Sequence, residues 1–522
     1  MKQFFPGLAL LASLSAVWAQ APAPKPAAAT PARPKLLLAI AVDQFRYDYL
    51  TRFRSEYNAG LAQLLTQGAV FTNAHYEHAP TVTAVGHATM LTGASPVLSG
   101  IVANDWYEKG IGKITSSVND EASDLVGGEG VGSTPKRLLV STVADEIKMA
   151  GRGESKTIGI SLKDRSAILF PGRMADAAYW FAAENGSWVT STWYMKQLPK
   201  WVADLNARRP ADRYLSKDWA PITGGAAMRK MLSKPDTMFY SGVEKSPFGN
   251  EILEEMAELA IENEKLGQHA GIDVLTVSFS SNDIAGHTYG PDSPEARDLA
   301  IRTDRSLGKL FAYIDKKIGM KNVVVTLTAD HGIPPIPEVN AERKMPGGRV
   351  KDSAVTGAIE AALTAKFGAG KWSVGKGGEQ IYLNPALVEQ HGGPAVRATA
   401  AAALRNIPHI FRVYTRDQLL AGQTGQDKVG RRVANGYNTA RGADLVVILE
   451  PYYQFGTTGT THSSPFNYDT HVPLILMGPG VKPGRYHQAA AVNDLAPTLA
   501  TLLEVLVPSG SMGRVLSEAL AR

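Results

Sequence analysis

Three apolar runs in this chain end on acidic and imidazole side chains, and no other feature restricts its fold as much. The run from Leu37 to Val42 leads into Asp43, the run from Val274 to Phe279 into Asp283 and His287, and the run from Val323 to Ala329 into Asp330 and His331. Short, uninterrupted apolar segments rich in Val, Ile and Leu are what a strand needs when both faces of a parallel sheet are covered by helices. A fourth run, Leu474–Met477, follows the segment that holds His462 and His471. The expected class is therefore α/β, a three-layer α/β/α sandwich around a mostly parallel sheet.

In open α/β sheets, ligands bind outside the carboxyl ends of the strands, which is where these Asp and His residues fall. One aspartate after a strand is ordinarily a helix cap; three strand ends sharing carboxylates and imidazoles point instead to bound metal. A mixed carboxylate–imidazole shell suits zinc. Two such ions about 4 Å apart clamp a phosphoryl group during in-line displacement, so the pattern points to phosphate-ester hydrolysis. The chain has no cysteine, which excludes thiolate ligands and disulfide staples.

Residues 1–19, with Lys2 ahead of an apolar stretch and small residues before Gln20, read as a secretory signal peptide too short to span a bilayer. Residues 20–34 are mostly Ala and Pro, a stiff tether. The expected product is a periplasmic or secreted protein whose catalytic domain spans 35–522. Within it, 45–67 reads as helix, 69–74 as strand, and Thr134-Pro135 as the opening of a helix to about 150. Residues 156–162 read as strand, 171–250 as an insertion roofing the site, and 335–443 as a second insertion forming a small α+β lobe. Leu445–Leu449, Leu474–Met477 and Leu495–Leu503 are expected to return to the core. Lys163 and Arg165 are expected to alternate along a strand end and so share one face. The glycine-rich stretch 127–132 lacks a preceding strand and a following Lys-Ser/Thr, and reads as a flexible loop. The net charge of +5 is too diffuse to argue for nucleic acid, while it suits small anionic substrates.

Pro80-Thr-Val-Thr-Ala-Val-Gly-His87, Asn104-Asp-Trp106, Ser161-Leu-Lys-Asp-Arg165, Thr328-Ala-Asp-His-Gly332 and Tyr468-Asp-Thr-His-Val-Pro473 together resemble the bacterial alkaline phosphatases with a threonine nucleophile. These belong to the alkaline phosphatase superfamily, as do the nucleotide pyrophosphatase/phosphodiesterases. The resemblance runs through nearly the whole mature chain in the same order. It implies an α/β/α core, two Zn2+ and hydrolysis of small phosphate monoesters through a covalent phosphothreonine. It aligns Thr83 with the nucleophile and Asn104, Lys163 and Arg165 with the groups that bind the phosphoryl oxygens, the cationic pair being a mark of the monoesterase branch. Asp283 and His287, with a third histidine, would form one metal set; Asp43, Asp330 and His331, with Thr83, the other. For the third histidine the resemblance favours His462 over His471, which becomes a packing residue or one that supports a ligand from behind; the spacing of His75, His78 and His87 does not set them apart from core or surface residues. A phosphodiesterase acting on the same two-zinc site is the alternative. A sulfatase would need a Cys or Ser in a C/S-x-P-x-R motif, which Thr83-Ala-Val-Gly-His87 lacks. A non-enzymatic metal- or phosphate-binding protein would be missing a ligand or the nucleophile.

Overall fold

The computed structural model describes residues 1–3 and 33–521, so the expected signal peptide and most of the expected tether lie outside the described residues. Eleven strands form the main sheet: β1 (Leu36–Val42), β2 (Ala69–Phe71), β3 (Asn119–Val126), β4 (Val131–Ser133), β5 (Thr157–Ser161), β6 (Ala177–Ala182), β7 (Ser187–Ser191), β8 (Asp273–Phe279), β9 (Val323–Thr328), β10 (Leu474–Met477) and β11 (Gly484–Tyr486). Their spatial order is β11-β2-β10-β9-β1-β8-β5-β6-β7-β3-β4. The five central strands, β9-β1-β8-β5-β6, run parallel. β10 lies antiparallel to β9, and β7 antiparallel to β6. The sheet is thus parallel at its centre and mixed towards its edges. Every residue of β1, β8 and β9 is buried, as their unbroken apolar runs demand.

The strand ends are level as well as parallel. Val42 pairs with Phe279, and Ala41 with both Ser278 and Thr328, so side chains following these strands emerge side by side.

Several expectations need correction. The stretch 45–67 is three short pieces, Tyr49–Arg52, Arg54–Glu56 and Gly60–Gln67. The buried Asp304 carboxylate accepts the backbone N–H groups of Asn58, Ala59 and Ala62 at 3.0 to 3.2 Å, starting the last piece afresh with a cap from another element. Thr134-Pro135 opens no helix. The helix begins at Val143, where Thr142 and Asp145 form a reciprocal capping box. From the expected roof at 171–250, β6 and β7 join the main sheet.

Within 335–443 there is a lobe with its own sheet and core. Ser373–Gly377, Gln380–Leu383 and Ile410–Thr415 combine with Leu445–Leu449 in a four-stranded sheet, packed around Val355, Ile359, Trp372 and Leu404. Leu445–Leu449 therefore belongs to the lobe and not to the main sheet as expected: its partners are lobe strands on both sides. The glycines at 127–132 make the turn between β3 and β4, and Leu495–Leu503 is a helix as expected.

Candidate active site

Four adjacent parallel strands, β9-β1-β8-β5, each deliver polar groups at their carboxyl ends. Asp43 follows β1, Asp330 and His331 follow β9, and Lys163 follows β5. Asp283 and His287 lie one turn apart on helix Ser281–Tyr289, which begins just after β8. The carboxylates and imidazoles gather into two buried groups, Asp283 with His331 and His462, and Asp43 with His87 and Asp330, the donor atoms of each lying within 4.8 Å of one another. His287 flanks the first group, its Nε2 standing 3.3 Å from Asp283 Oδ1.

The imidazoles are oriented for metal binding. Nδ1 of His287 lies 2.8 Å from the Thr460 carbonyl oxygen, that of His462 2.8 Å from the Thr81 oxygen, and that of His331 3.0 Å from the Gly332 oxygen. A carbonyl only accepts, so Nδ1 carries a hydrogen and Nε2 is the atom turned to take a metal or a second proton in all three rings. These Nε2 atoms stand 3.3, 3.6 and 4.0 Å from Asp283 Oδ1. Asp330 Oδ2 and His331 Nε2 are buried without any hydrogen-bond partner, a costly arrangement for polar atoms unless a ligand engages them. The donor set therefore fits zinc: carboxylates and correctly oriented imidazoles, with orphaned atoms at the centre.

Position and charge reinforce this. His331 lies 3.3 Å from Asp330 Oδ2 and stacks on His462 at 3.4 Å between ring centroids, so it borders both groups. Burial opposes its charge, but Asp330 and Asp283 outweigh that and push its pKa up to about 9, so these carboxylates draw to the ring a proton that a metal would displace. Burial likewise opposes charge on Asp283, but Lys163 and His287 hold its carboxyl well below the usual range. His471 lies elsewhere, stacked between Tyr47 at 4.3 Å and His75 at 4.5 Å.

Thr83 is the first residue of the fully buried helix Thr83–Thr92. Val82, extended at φ −130°, precedes it and provides no side-chain cap, so apart from the Ala84 N–H the first turn and the positive end of the helix can receive an anion. Asn104 Oδ1 accepts the Ala84 N–H at 2.9 Å, which sets this side chain beside Thr83. Gly86 is required by a close approach: a Cβ there would stand 2.3 Å from the Asp330 carbonyl oxygen. The helix therefore rests directly on the backbone that carries Asp330.

Lys163 and Arg165 do not alternate on a strand. Lys163 is the extended residue before helix Asp164–Leu169, and Arg165 lies inside that helix, because the chain turns into a helix immediately beyond β5. Lys163 Nζ reaches Asp43 Oδ2 at 3.0 Å and Asp283 Oδ2 at 2.5 Å, bridging the two groups. Burial disfavours its charge, yet Asp283 and Asp43 keep its pKa above the usual value. Arg165 Nε is buried with no hydrogen-bond partner.

Two residues at the site were not anticipated. Gln44, with φ +61°, donates its backbone N–H to Asp330 Oδ1 at 2.9 Å and its amide to Asp283 Oδ1 at 2.6 Å. It ties one carboxylate from each group to a single residue. Nothing in local sequence announces a glutamine in left-handed backbone. The spacing of His87 does not set it apart, yet it sits 3.5 Å from Asp43 Oδ1 and 3.6 Å from Asp330 Oδ2. Its Nδ1 bonds the Thr83 carbonyl at 2.9 Å and its Nε2 the Ser278 hydroxyl at 2.8 Å. Both nitrogens are occupied by protein, so His87 braces the site. The four-residue step from Thr83, one helical turn, was the available signal.

Comparison with known proteins yields consistent likenesses. The profile of the family described as type I phosphodiesterase / nucleotide pyrophosphatase matches residues 37–472. Alkaline phosphatase PhoV of Synechococcus elongatus is 36% identical, the match covering 94% of each chain. Alkaline phosphatase PafA of Elizabethkingia meningoseptica is 34% identical over 94% of this chain and 95% of its own. The crystal structure of PafA superposes with a TM-score of 0.88, covering 95% of this chain and all of that one. A further PafA structure carries a threonine changed to serine and an asparagine, a lysine and an arginine changed to alanine. A protein of Myroides odoratus named as a calcium-transporting ATPase is 34% identical over 94% of this chain; among the described residues here, no helix is long and apolar enough to cross a membrane.

Proposed function

This chain belongs to the type I phosphodiesterase / nucleotide pyrophosphatase family and is an alkaline phosphatase within it, and from that premise we propose that it cleaves phosphate monoesters with two zinc ions and a covalent phosphothreonine on Thr83. The observation that carries this reading is the convergence of three Nε2 atoms and three buried carboxylates near the N-terminus of the helix that begins at Thr83. The substitutions in the PafA variant support the assignment of the phosphoryl-binding groups, being spaced as Thr83 is from Asn104 and Lys163 from Arg165.

Asp283, His287 and His462 would hold one ion, and Asp43, Asp330 and His331, with Thr83, the other. When bound, these ions supply positive charge to the attacking and leaving oxygens. Thr83 Oγ gives up its proton to solvent and attacks phosphorus in line. The Thr83 O–P bond forms as the ester O–P bond breaks, and the alkoxide leaves on the side of His287 and His462, taking a proton from solvent to become the alcohol. Water then attacks the phosphothreonine from that same side and loses a proton to solvent as the Thr83 O–P bond breaks, so that inorganic phosphate departs and Thr83 Oγ is reprotonated. Asn104, fixed by Ala84 N–H, turns its Nδ2 donors to a phosphoryl oxygen. Lys163 and Arg165 hold the oxygens that carry the second negative charge of a monoester. The unpartnered Arg165 Nε supports this and weighs against a preference for diesters. The family's name keeps the diesterase reading open to test: turnover of phenyl phosphate should greatly exceed that of bis-p-nitrophenyl phosphate, and the opposite ratio would replace this assignment. Residues 1–19 act as an export signal in this proposal, placing the enzyme in the periplasm or outside the cell.

Purified enzyme should contain about two zinc ions per chain and lose activity on chelation. Less than one bound metal in fully active protein, measured by elemental analysis, would refute the metal assignment. His462→Ala should remove one zinc and cost activity by about a hundredfold or more. His471→Ala should keep both ions and act chiefly on stability, since that ring is stacked between Tyr47 and His75. The reverse order in metal content would exchange their roles.

A further inference from the structure

A cavity of about 790 Å³ opens beside His287 and His462. If Thr83 attacks from the opposite side, the departing alcohol emerges into this space, so its walls select the leaving group. Thr460 and its neighbours offer hydroxyls, and the phenyl ring of Phe455 is covered by Lys376 Nζ at 3.5 Å from its centroid. A nucleobase would have to displace that ammonium to stack there. Lys376 is itself held by Asp352 at 2.5 Å.

Glu379 is the unsettled group on this wall. Among the described residues the Ser463 hydroxyl is its sole side-chain hydrogen-bond donor. Burial pushes its pKa up, with Ser463 and Lys376 only partly countering. Ser463 follows His462 directly and has φ +130°, a conformation that costs a non-glycine residue about 1–3 kcal/mol. The backbone is thus strained where it links a proposed metal ligand to this carboxylate. A half-buried carboxylate with few donors, still open to the cavity, is stabilised by a further cation or donor that reaches it. Lys376 is paired with Asp352, so among the described residues Glu379 is the acidic group on this wall without a salt-bridge partner.

We propose that this cavity is the leaving-group subsite and that Glu379 selects alcohols bearing an ammonium group, so that the preferred substrates are aminoalkyl phosphates. The proposal rests on the phosphatase mechanism above. It is tested with 2-aminoethyl phosphate against propyl phosphate, which match in size and differ by the charge, near pH 8, where an alkylamine is protonated. Glu379→Gln should lower the ratio of kcat/KM for the two esters about tenfold relative to wild type, a comparison that cancels their intrinsic reactivities. Lys376→Met, which removes the competing cation, should raise the same ratio and decides the question alone should the first variant not fold. A ratio that Glu379→Gln leaves unchanged, or that Lys376→Met fails to raise, overturns the subsite. Absence of turnover of either ester in wild type would instead refute the phosphatase mechanism itself.

Discussion

Thr83→Ala should reduce kcat/KM for phenyl phosphate by on the order of 10⁴-fold or more, because no other group can take over the covalent step. Both zinc ions should remain bound, since the carboxylates and imidazoles are untouched. Thr81 supplies the informative control only two residues away. Its hydroxyl donates to the Ser464 carbonyl at 3.0 Å, and its own carbonyl accepts from His462. Alanine keeps the carbonyl, so Thr81→Ala loses one ordinary hydrogen bond worth about 1 kcal/mol and retains most activity. Steady-state rates with parallel metal analysis separate the two. A dead Thr81→Ala beside an active Thr83→Ala would move the nucleophile by two residues.

The double variant Lys163→Ala/Arg165→Ala should shift the enzyme towards diesters. Charge-assisted contacts contribute about 1.5–3 kcal/mol each, so losing both should cost monoester turnover on the order of 10²- to 10⁴-fold. A diester, lacking the second negative charge, should lose far less. The structure separates the two residues. Arg165 has no partner for its Nε, and Arg165→Ala should act on the substrate alone. Lys163 also bridges Asp43 and Asp283, so its removal leaves two buried carboxylates closer to electrostatic conflict and should alter zinc affinity too. Equal losses for both ester classes with both ions retained would show that this pair does not recognise the monoester charge.

Much of this site could be read from the chain because a parallel sheet converts a one-dimensional signal into a position. An apolar run ended by Asp43 or Asp330 states both the strand and the place where its side chain emerges. The same logic failed for Lys163 and Arg165. Alternation assumes that the strand continues, whereas the chain enters a helix at Asp164. Leu445–Leu449 has the composition of a main-sheet strand and pairs in the lobe instead, since composition states burial and not partner. Thr142 outcompeted Thr134 as a helix cap because Asp145 completes its box. Gln44 stayed hidden because its role depends on a backbone conformation, and His87 because one turn of helix was not counted from Thr83.

The seat of Gly86 on the Asp330 backbone has a consequence for how activity arises during folding. A helix formed early in the chain rests at Gly86 against a strand end made some 240 residues later. Native-like helix content can therefore precede a competent nucleophile, and turnover reports the arrival of β9 rather than the formation of the helix that bears Thr83. An assay of refolding by activity would time long-range closure of the sheet, while circular dichroism followed in the same sample would time local order.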